Sequence, residues 1–195
     1  MSTEYITEYY PNGNKHVQGY YDGTTPDGDF TMWYENGNRC CEGFDVNSDG
    51  SLFMSTSWHK NGQMESTGDA YSLIFNTGLW TRWYENGNKK SEGYYLDKYK
   101  SMFDFDGGDD RFTDDYFNPR TGKWSYWHSN GQLACTGVHN EDGLWIFWDE
   151  EGNKVHEHEY GYSNDEILTV WNDLKTSGCS DRLISNFKEN ILVGH

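Results

Sequence analysis

The sequence repeats one short phrase that joins a tryptophan to a glycine turn. The phrase Trp-x-x-(Asn/Glu)-Gly-(Asn/Gln) occurs at residues 33–38, 58–63, 83–88, 127–132 and 148–153. A weaker copy lies at 9–14, where Tyr replaces Trp, and a decayed one at 103–107. Counting both, the turn glycines are 20 to 25 residues apart. Such a period is typical of repeat proteins, which serve mostly as binding scaffolds.

The Asn-Gly pairs predict β-hairpins. A two-residue type I′ turn needs positive φ at both central positions, and Asn-Gly adopts this conformation readily. If Asn86 and Gly87 form such a turn, Trp83 lies opposite Lys90, and Trp80 lies opposite Gly93. The same counting gives four further pairs: Phe30 with Gly43, Trp124 with Gly137, Trp145 with His158, and Ser55 with Gly68. In three copies a ring therefore faces a glycine, whose bare backbone leaves room for the ring.

The segment upstream of each turn predicts the fold class. It reads Gly-x-aromatic-x-x-Trp in several copies, and residues three apart on a strand, such as Trp80 and Trp83, point to opposite faces. Hydrophobic residues make up only 34% of the chain while aromatic residues make up 17%, so burial must come from stacked rings. We therefore expect residues 1–161 to form an all-β domain, an elongated antiparallel meander of roughly twelve to fourteen strands.

The C-terminal segment has a different pattern. Ser163-Asn164-Asp165-Glu166 is a capping box, and apolar residues follow at helical spacing up to Gly178. A second helical pattern runs from about residue 181 to 192. Residues 162–195 are therefore predicted to form two short helices that cap the open edge of the last strand.

Two insertions interrupt the period, and the first, at 45–57, carries half of a calcium-binding pattern. Asp45, Asn47 and Asp49 alternate as in the first half of an EF-hand loop, but Thr56 occupies the twelfth position, where a bidentate Glu is required. A turn-forming connection is the favoured interpretation. We therefore predict neither a metal site nor a cofactor, with calcium as a weak candidate only.

The second insertion, at 97–121, is rich in aspartate. One interpretation is that its carboxylates contact a basic partner or imitate the phosphate spacing of a nucleic acid; the other is a solvated loop. The candidate residues are Asp104, Asp106, Asp109, Asp110, Asp114 and Asp115.

The charge of the chain limits its partners. A formal net charge of -17 repels nucleic acid and anionic membranes, so direct binding to either is not expected, and a basic protein partner fits better. Acidity could also serve solubility alone. The N-terminal residues contain no leader and the cysteines no paired framework, which predicts a cytoplasmic protein with reduced thiols.

A resemblance to a known family rests on the repeated phrases. Residues 83–94 and 143–148 resemble the variant MORN repeat, and the repeats look most like those of bacterial YwqK-type antitoxins. The resemblance covers roughly residues 5 to 160. It implies a protein-interaction platform that neutralises a toxin, and it implies no catalytic residues. The acidic insertion and the helical tail depart from the family pattern.

One ladder of rings is a further candidate site. Tyr34, His59, Tyr84 and His128 each follow the tryptophan of their repeat. They either line a protein-binding face or pack between strands, and packing is the favoured interpretation.

Together these patterns predict a binding protein. No catalytic triad, phosphate loop or paired carboxylate stands out, so we expect no enzyme activity. The first hypothesis is an antitoxin-like or immunity-like protein that occludes a basic toxin or effector. The alternatives are a structural scaffold that assembles from its own copies, and a phage-type acidic inhibitor that mimics nucleic acid.

Overall fold

The chain folds as an antiparallel meander of twelve strands whose order follows the sequence. The computed structural model describes residues 3–22, 25–45, 53–71, 75–96, 120–139 and 143–160. The strands are β1 (Glu4–Tyr9), β2 (Lys15–Asp22), β3 (Thr25–Trp33), β4 (Arg39–Asp45), β5 (Phe53–Trp58), β6 (Met64–Tyr71), β7 (Phe75–Trp83), β8 (Lys89–Tyr95), β9 (Arg120–Trp127), β10 (Leu133–His139), β11 (Gly143–Trp148) and β12 (Lys154–Tyr160).

The all-β prediction is confirmed for the array. The described residues contain strands and turns and no helix, and hence no helix long and apolar enough to cross a bilayer. The predicted helical cap at 162–195 lies outside the described residues, as does the acidic insertion up to residue 119. The chain divides into two compact units, with β1 to β7 in the first (Met1–Gly87) and β8 to β12 in the second (Asn88–His195).

The turns differ from the predicted type I′ geometry. The Gly37 N–H donates to Tyr34 O at 2.9 Å, and the Tyr34 N–H donates to Asn38 O at 2.8 Å. These two bonds define a three-residue loop in which a β-turn is followed by a glycine with φ of 88° to 89° at the comparable positions 13, 37 and 62. The loop shifts the register, so Trp33 pairs with Arg39. The two-residue turn was therefore a wrong prediction.

An asparagine side chain explains the longer loop. Asn36 Oδ1 accepts the N–H of Asn38 at 3.0 Å, which stabilises the turn in the conformation known as an Asx-turn. Its Nδ2 donates to Lys60 O at 2.8 Å, in the turn of the next repeat. Asn12, Asn61 and Asn130 make the same pair of bonds. The asparagines thus connect successive turns within each unit.

The predicted register is recovered beyond the turn, because a bulge between Met32 and Trp33 compensates for the longer loop. Four predicted pairs are confirmed: Phe30 with Gly43, Trp124 with Gly137, Trp145 with His158, and Ser55 with Gly68. The pairs predicted for Trp80 and Trp83 across their turn stay predictions.

Four core rings cover strand glycines, but Trp124 covers a different glycine from the predicted one. A Cβ added at Gly93 would overlap the indole of Trp124, and one added at Gly137 would overlap Trp145. The indole therefore covers the glycine of the preceding strand. Phe30 behaves as predicted and covers Gly43 within its own hairpin.

A hydrogen bond explains why the Trp124 indole lies over the preceding strand. The Trp124 Nε1–H donates to Tyr94 O at 3.0 Å, beside a bulge between Glu92 and Tyr94 in the preceding strand. A bulge leaves a residue out of the ladder, so the indole N–H takes up a carbonyl there. Trp80 donates to Asp69 O in the same way. The Phe30 ring has no N–H to donate, so only the space over Gly43 determines where this ring lies.

The cores of both units are ring-rich, as the composition predicted. In the first unit Val17, Tyr21 and Phe30 are buried together. In the second unit the buried rings stack in sequence, with centroid distances of 5.8 Å for Trp124–Tyr126, 6.4 Å for Tyr126–Trp145 and 6.3 Å for Trp145–Phe147.

The Gly137→Ala variant tests the contact between indole and glycine. We expect a loss of about 2 to 3 kcal/mol in the free energy of unfolding, because the added methyl group overlaps Trp145 in a packed core. Denaturant unfolding followed by tryptophan fluorescence measures this loss.

Gly122→Ala is the matched control in the same unit. Gly122 has φ of 61° and no atom within 4 Å of an added Cβ, so only backbone strain of about 1 kcal/mol is expected. A Gly137→Ala variant no less stable than Gly122→Ala would contradict the packing account.

Candidate functional site

The predicted ladder of rings connects neighbouring repeats. Tyr34 Oη donates to Trp58 O at 2.8 Å, while Nε2 of His59 lies 3.0 Å from Trp83 O and Nε2 of His128 lies 2.9 Å from Trp148 O. Burial, together with a hydrogen bond to Cys40, raises the pKa of Tyr34 to about 12, so the phenol keeps its proton for this bond. Their polar atoms thus face the next repeat.

The exposure of these four rings differs. His128 is 1% exposed, whereas Tyr34, His59 and Tyr84 are half-buried. A role in binding a partner remains a prediction for the half-buried members.

The other predicted sites fall largely outside the described residues. This holds for the six aspartates of the acidic insertion and for Asn47 and Asp49, while Asp45 is the last residue of β4. Among the residues that can be described, no group of three or more His, Cys, Asp or Glu side chains could hold a metal ion. Cys40, Cys41 and Cys135 are free thiols, and burial raises the pKa of Cys41 to about 12, which makes its thiol unreactive near neutral pH.

A polar row runs across the first unit, on the face opposite the buried rings. Its members pair directly from strand to strand: Thr7, Gln18, Thr31, Glu42, Thr56, Thr67 and Thr81. The hydroxyls of Thr56 and Thr67 are hydrogen-bonded at 3.0 Å. The row fixes which residues share this face, because residues two positions away on each strand lie on the same side.

An exposed apolar row lies beside the polar row, two residues further along each strand. Its members are Tyr5 (57% exposed), Tyr20 (47%), Phe44 (39%), Met54 (44%) and Leu79 (45%). The rings of Tyr5 and Tyr20 meet edge to face at 5.0 Å, and Phe44 pairs directly with Met54. Given side-chain areas near 200 Å², the five residues expose roughly 400 to 500 Å², an area typical of interaction sites.

Two carboxylates complete the apolar row. Asp69 pairs directly with Met54 on the next strand. Asp29 is exposed and precedes Phe30, whose partner Gly43 precedes Phe44. Met54 on β5 thus lies between Phe44 on β4 and Asp69 on β6. Register shifts interrupt the direct pairing between β2 and β3 and between β6 and β7.

The opposite side of the polar row carries tryptophans with cations over their rings. Lys15 Nζ lies 5.2 Å from the ring centroid of Trp33, and the Arg39 guanidinium lies 5.7 Å from that of Trp58. Each cation–π contact joins one repeat to the next.

The second unit contains a half-buried polar cluster beside its buried rings. Nε2 of His139 lies 3.1 Å from Tyr126 Oη, its ring packs edge-on at 5.0 Å from Trp145, and the Arg120 guanidinium lies 5.1 Å from the Trp124 centroid. Burial, assisted by the positive charge of Arg120, lowers the pKa of His139 to about 3. His139 is thus neutral near pH 7.

The exposed apolar row was missed at the level of sequence, although a signal for it exists. A strand glycine covered by a ring points toward the core, so the next residue points away from it. Tyr20 follows Gly19 and Phe44 follows Gly43. A large apolar residue directly after a core glycine therefore marks two of the five members of the exposed row.

These features define the class of the molecule as a β-hairpin repeat protein with an exposed apolar row. Three segments match the family model described as the MORN repeat variant, at residues 6–22, 76–97 and 120–139. These matches support a MORN-repeat protein, and repeats of this kind are in general non-catalytic modules that bind proteins or membranes. No curated protein matches the chain. The likeness to YwqK-type antitoxins stays a prediction.

The half-buried His139 predicts acid sensitivity. Its pKa in the folded state, about 3, lies below the ordinary 6.5, so between these pH values the unfolded chain binds a proton that the folded chain does not. The stability that neutral His139 contributes is present above pH 6.5 and is lost progressively as the pH falls.

Denaturant unfolding as a function of pH tests this effect. We expect the His139→Gln variant to lose less stability than the parent between pH 6.5 and 4.5, a window of roughly two pH units below the ordinary histidine pKa. His16→Gln is the control, since the His16 side chain is 45% exposed and should leave the profile unchanged. Parallel profiles for the parent and His139→Gln would contradict the assignment.

Proposed function

We propose that this chain is a non-catalytic protein-binding module that holds a basic partner on the exposed apolar row of its first unit. The single observation that carries the proposal is the exposure of two apolar cross-strand pairs, Tyr5–Tyr20 and Phe44–Met54, together with Leu79, each residue being at least 39% exposed. An apolar row of this area is costly to leave in water unless a partner covers it.

The charge of the chain supports a basic partner. The formal net charge is -17, and Asp69 pairs directly with Met54 of the apolar row. Such a field accelerates the approach of a cationic protein, while apolar contacts slow its release. The acidic residues of the insertion, Asp104 to Asp115, would add to the same attraction.

The biological role that we propose is neutralisation by occlusion. A repeat array that covers the basic surface of a toxin or effector in the cytoplasm would block that surface sterically, as an antitoxin or immunity protein does. The mechanism needs no catalytic residue, no cofactor and no metal ion. It needs one extended face and a complementary charge, which the first unit provides.

Capture of the partner tests the proposal. The full chain is immobilised and exposed to a lysate of its native source at low salt, and the captured proteins are identified by mass spectrometry. The purified partner is then titrated calorimetrically with the parent chain. We expect the Phe44→Ser/Met54→Ser double variant to bind at least about tenfold more weakly, because central apolar contacts carry most binding energy.

Met64→Ser is the matched control. Met64 is 38% exposed in the same unit but pairs with Trp58 beside a turn, away from the apolar row. It should bind as the parent does. Equal affinities for the parent and the double variant would refute this site.

Growth assays test the biological role. A partner that arrests growth when expressed alone should be neutralised by the parent chain and not by the double variant. If the only captured protein is the chain itself, self-assembly replaces neutralisation as the function.

A further inference from the structure

We infer that the outer edge of β1 binds an extended, basic segment of a partner protein as an additional antiparallel strand. The segment carries a large ring, with one basic residue two positions before the ring and another two positions after it. This inference goes beyond the proposed function, because it uses the edge of β1 rather than the face that carries Phe44 and Met54.

The outer edge of β1 offers unpaired backbone groups. Within the part of the chain that the structure describes, β1 pairs with β2 and with no other strand. Tyr10 uses its N–H and C=O within its own hairpin. Successive strand residues direct these groups to alternate sides. The N–H and C=O groups of Tyr5, Thr7 and Tyr9 therefore point away from β2, where an incoming strand can bind them.

An inner repeat shows what this edge lacks. Trp33 O accepts a hydrogen bond from Tyr10 Oη of the preceding repeat at 2.9 Å. The equivalent carbonyl of the first repeat belongs to Tyr9, and no described residue donates to it. The last described repeat of a second copy could not supply the missing donor, because Asp149 occupies the place of the ring.

The core-side face of β1 favours a basic segment. Ile6 pairs with Gly19, and Glu4 and Glu8 lie two positions to either side of Ile6 on the same face, both exposed. The Glu4 carboxylate has no partner among the described residues. Nδ1 of His16 lies 3.9 Å from Glu8 Oε2, beyond hydrogen-bond distance. Lysine or arginine opposite these two carboxylates would form cross-strand charge pairs.

Ile6 determines the central residue of the segment. It stands where Phe30 stands in the next Gly-turn repeat, three positions before the place of the tryptophan. Phe30 covers Gly43 on its neighbouring strand, whereas Ile6 has no ring and is half-buried against the core. A ring on the incoming strand would cover the exposed side of Ile6, and aromatic residues pair favourably with β-branched ones across antiparallel strands.

The same carboxylates argue against a second copy of β1 as the occupant. Charges on the core side of an edge strand keep such edges from pairing with one another. Two copies of β1 would bring Glu4 and Glu8 of each copy onto one face, and like charges on paired strands are destabilising. A basic segment converts this repulsion into attraction.

Labelled peptides test the inference with the full chain. The probe is Thr-Lys-Thr-Phe-Thr-Lys-Thr, which when extended places both lysines on the side of the phenylalanine. The comparison peptide, Lys-Thr-Thr-Phe-Thr-Thr-Lys, has the same composition but places both lysines on the opposite side. In fluorescence anisotropy at low salt we expect the probe to bind about fivefold more tightly, as two partly exposed charge pairs allow.

Three variants separate the charge from the backbone. Glu4→Gln/Glu8→Gln should reduce the preference for the probe below about twofold. Glu35→Gln/Glu85→Gln removes two exposed charges from turns of the same unit and should preserve it. Thr7→Pro should abolish binding of both peptides, because it removes an outward N–H and no bond to β2. Near-ultraviolet circular dichroism verifies that each variant remains folded.

Amide hydrogen exchange locates the peptide on the backbone. The N–H groups of Tyr5, Thr7 and Tyr9 should exchange rapidly in the free chain and at least about tenfold more slowly with the probe bound. Those of Ile6 and Glu8 face β2, so they should be protected in both states.

Four results would overturn the inference: equal binding of the two peptides, binding of neither, undiminished binding to Thr7→Pro, or outward amides already protected in the free chain. The Phe44→Ser/Met54→Ser variant should bind the probe as the parent does, and a loss there would place the peptide on the apolar row and also refute the edge site. The affinity of that variant for the captured natural partner tests the proposed function separately, so either can fail while the other stands.

Discussion

The packing of an indole against a strand glycine is the constraint on which the rest of the structure depends. In the second unit Trp124 covers Gly93 and Trp145 covers Gly137, and a side chain at either glycine would push the ring away. The indole N–H also takes up a carbonyl beside a bulge, so one residue fills the core and satisfies the backbone. A chain with few aliphatic residues can build its core from rings only because glycines leave room for them.

This constraint also determines what the opposite face can be. The buried ring and its glycine fix the direction of every other residue on the strand, so the residues beside them lie on the opposite face of the sheet. In the first unit that face carries the polar row, tryptophans covered by cations and the exposed apolar row. One face supplies stability through packed rings, and the opposite face is the one on which we propose that a partner binds.

Hydrogen bonds between successive turns also connect the repeats within each unit. Asn36 uses its oxygen within its own turn and its amide nitrogen on the turn of the next repeat. In the last described repeat Glu151 stands at the position of Asn36, and the turn is held instead by Asp149, whose Oδ1 accepts the N–H groups of Glu151 and Asn153. Hydrogen bonds from Asn153 lower the pKa of Asp149, which has no amide to donate onward. Within the described residues no turn follows it, so no donor is required.

The sequence by itself determined the repeat period, the antiparallel meander and most of the register, because Asn-Gly turns and strand alternation are local and depend on few residues. It did not determine the turn type, since the hydrogen bond from Asn36 to Lys60 O exists only once repeats are stacked. It also did not determine which glycine each indole covers, because the choice depends on a bulge in another strand. The exposed row of Tyr20, Phe44 and Met54 was decided in the same way: a row across strands exists only after pairing brings distant residues side by side.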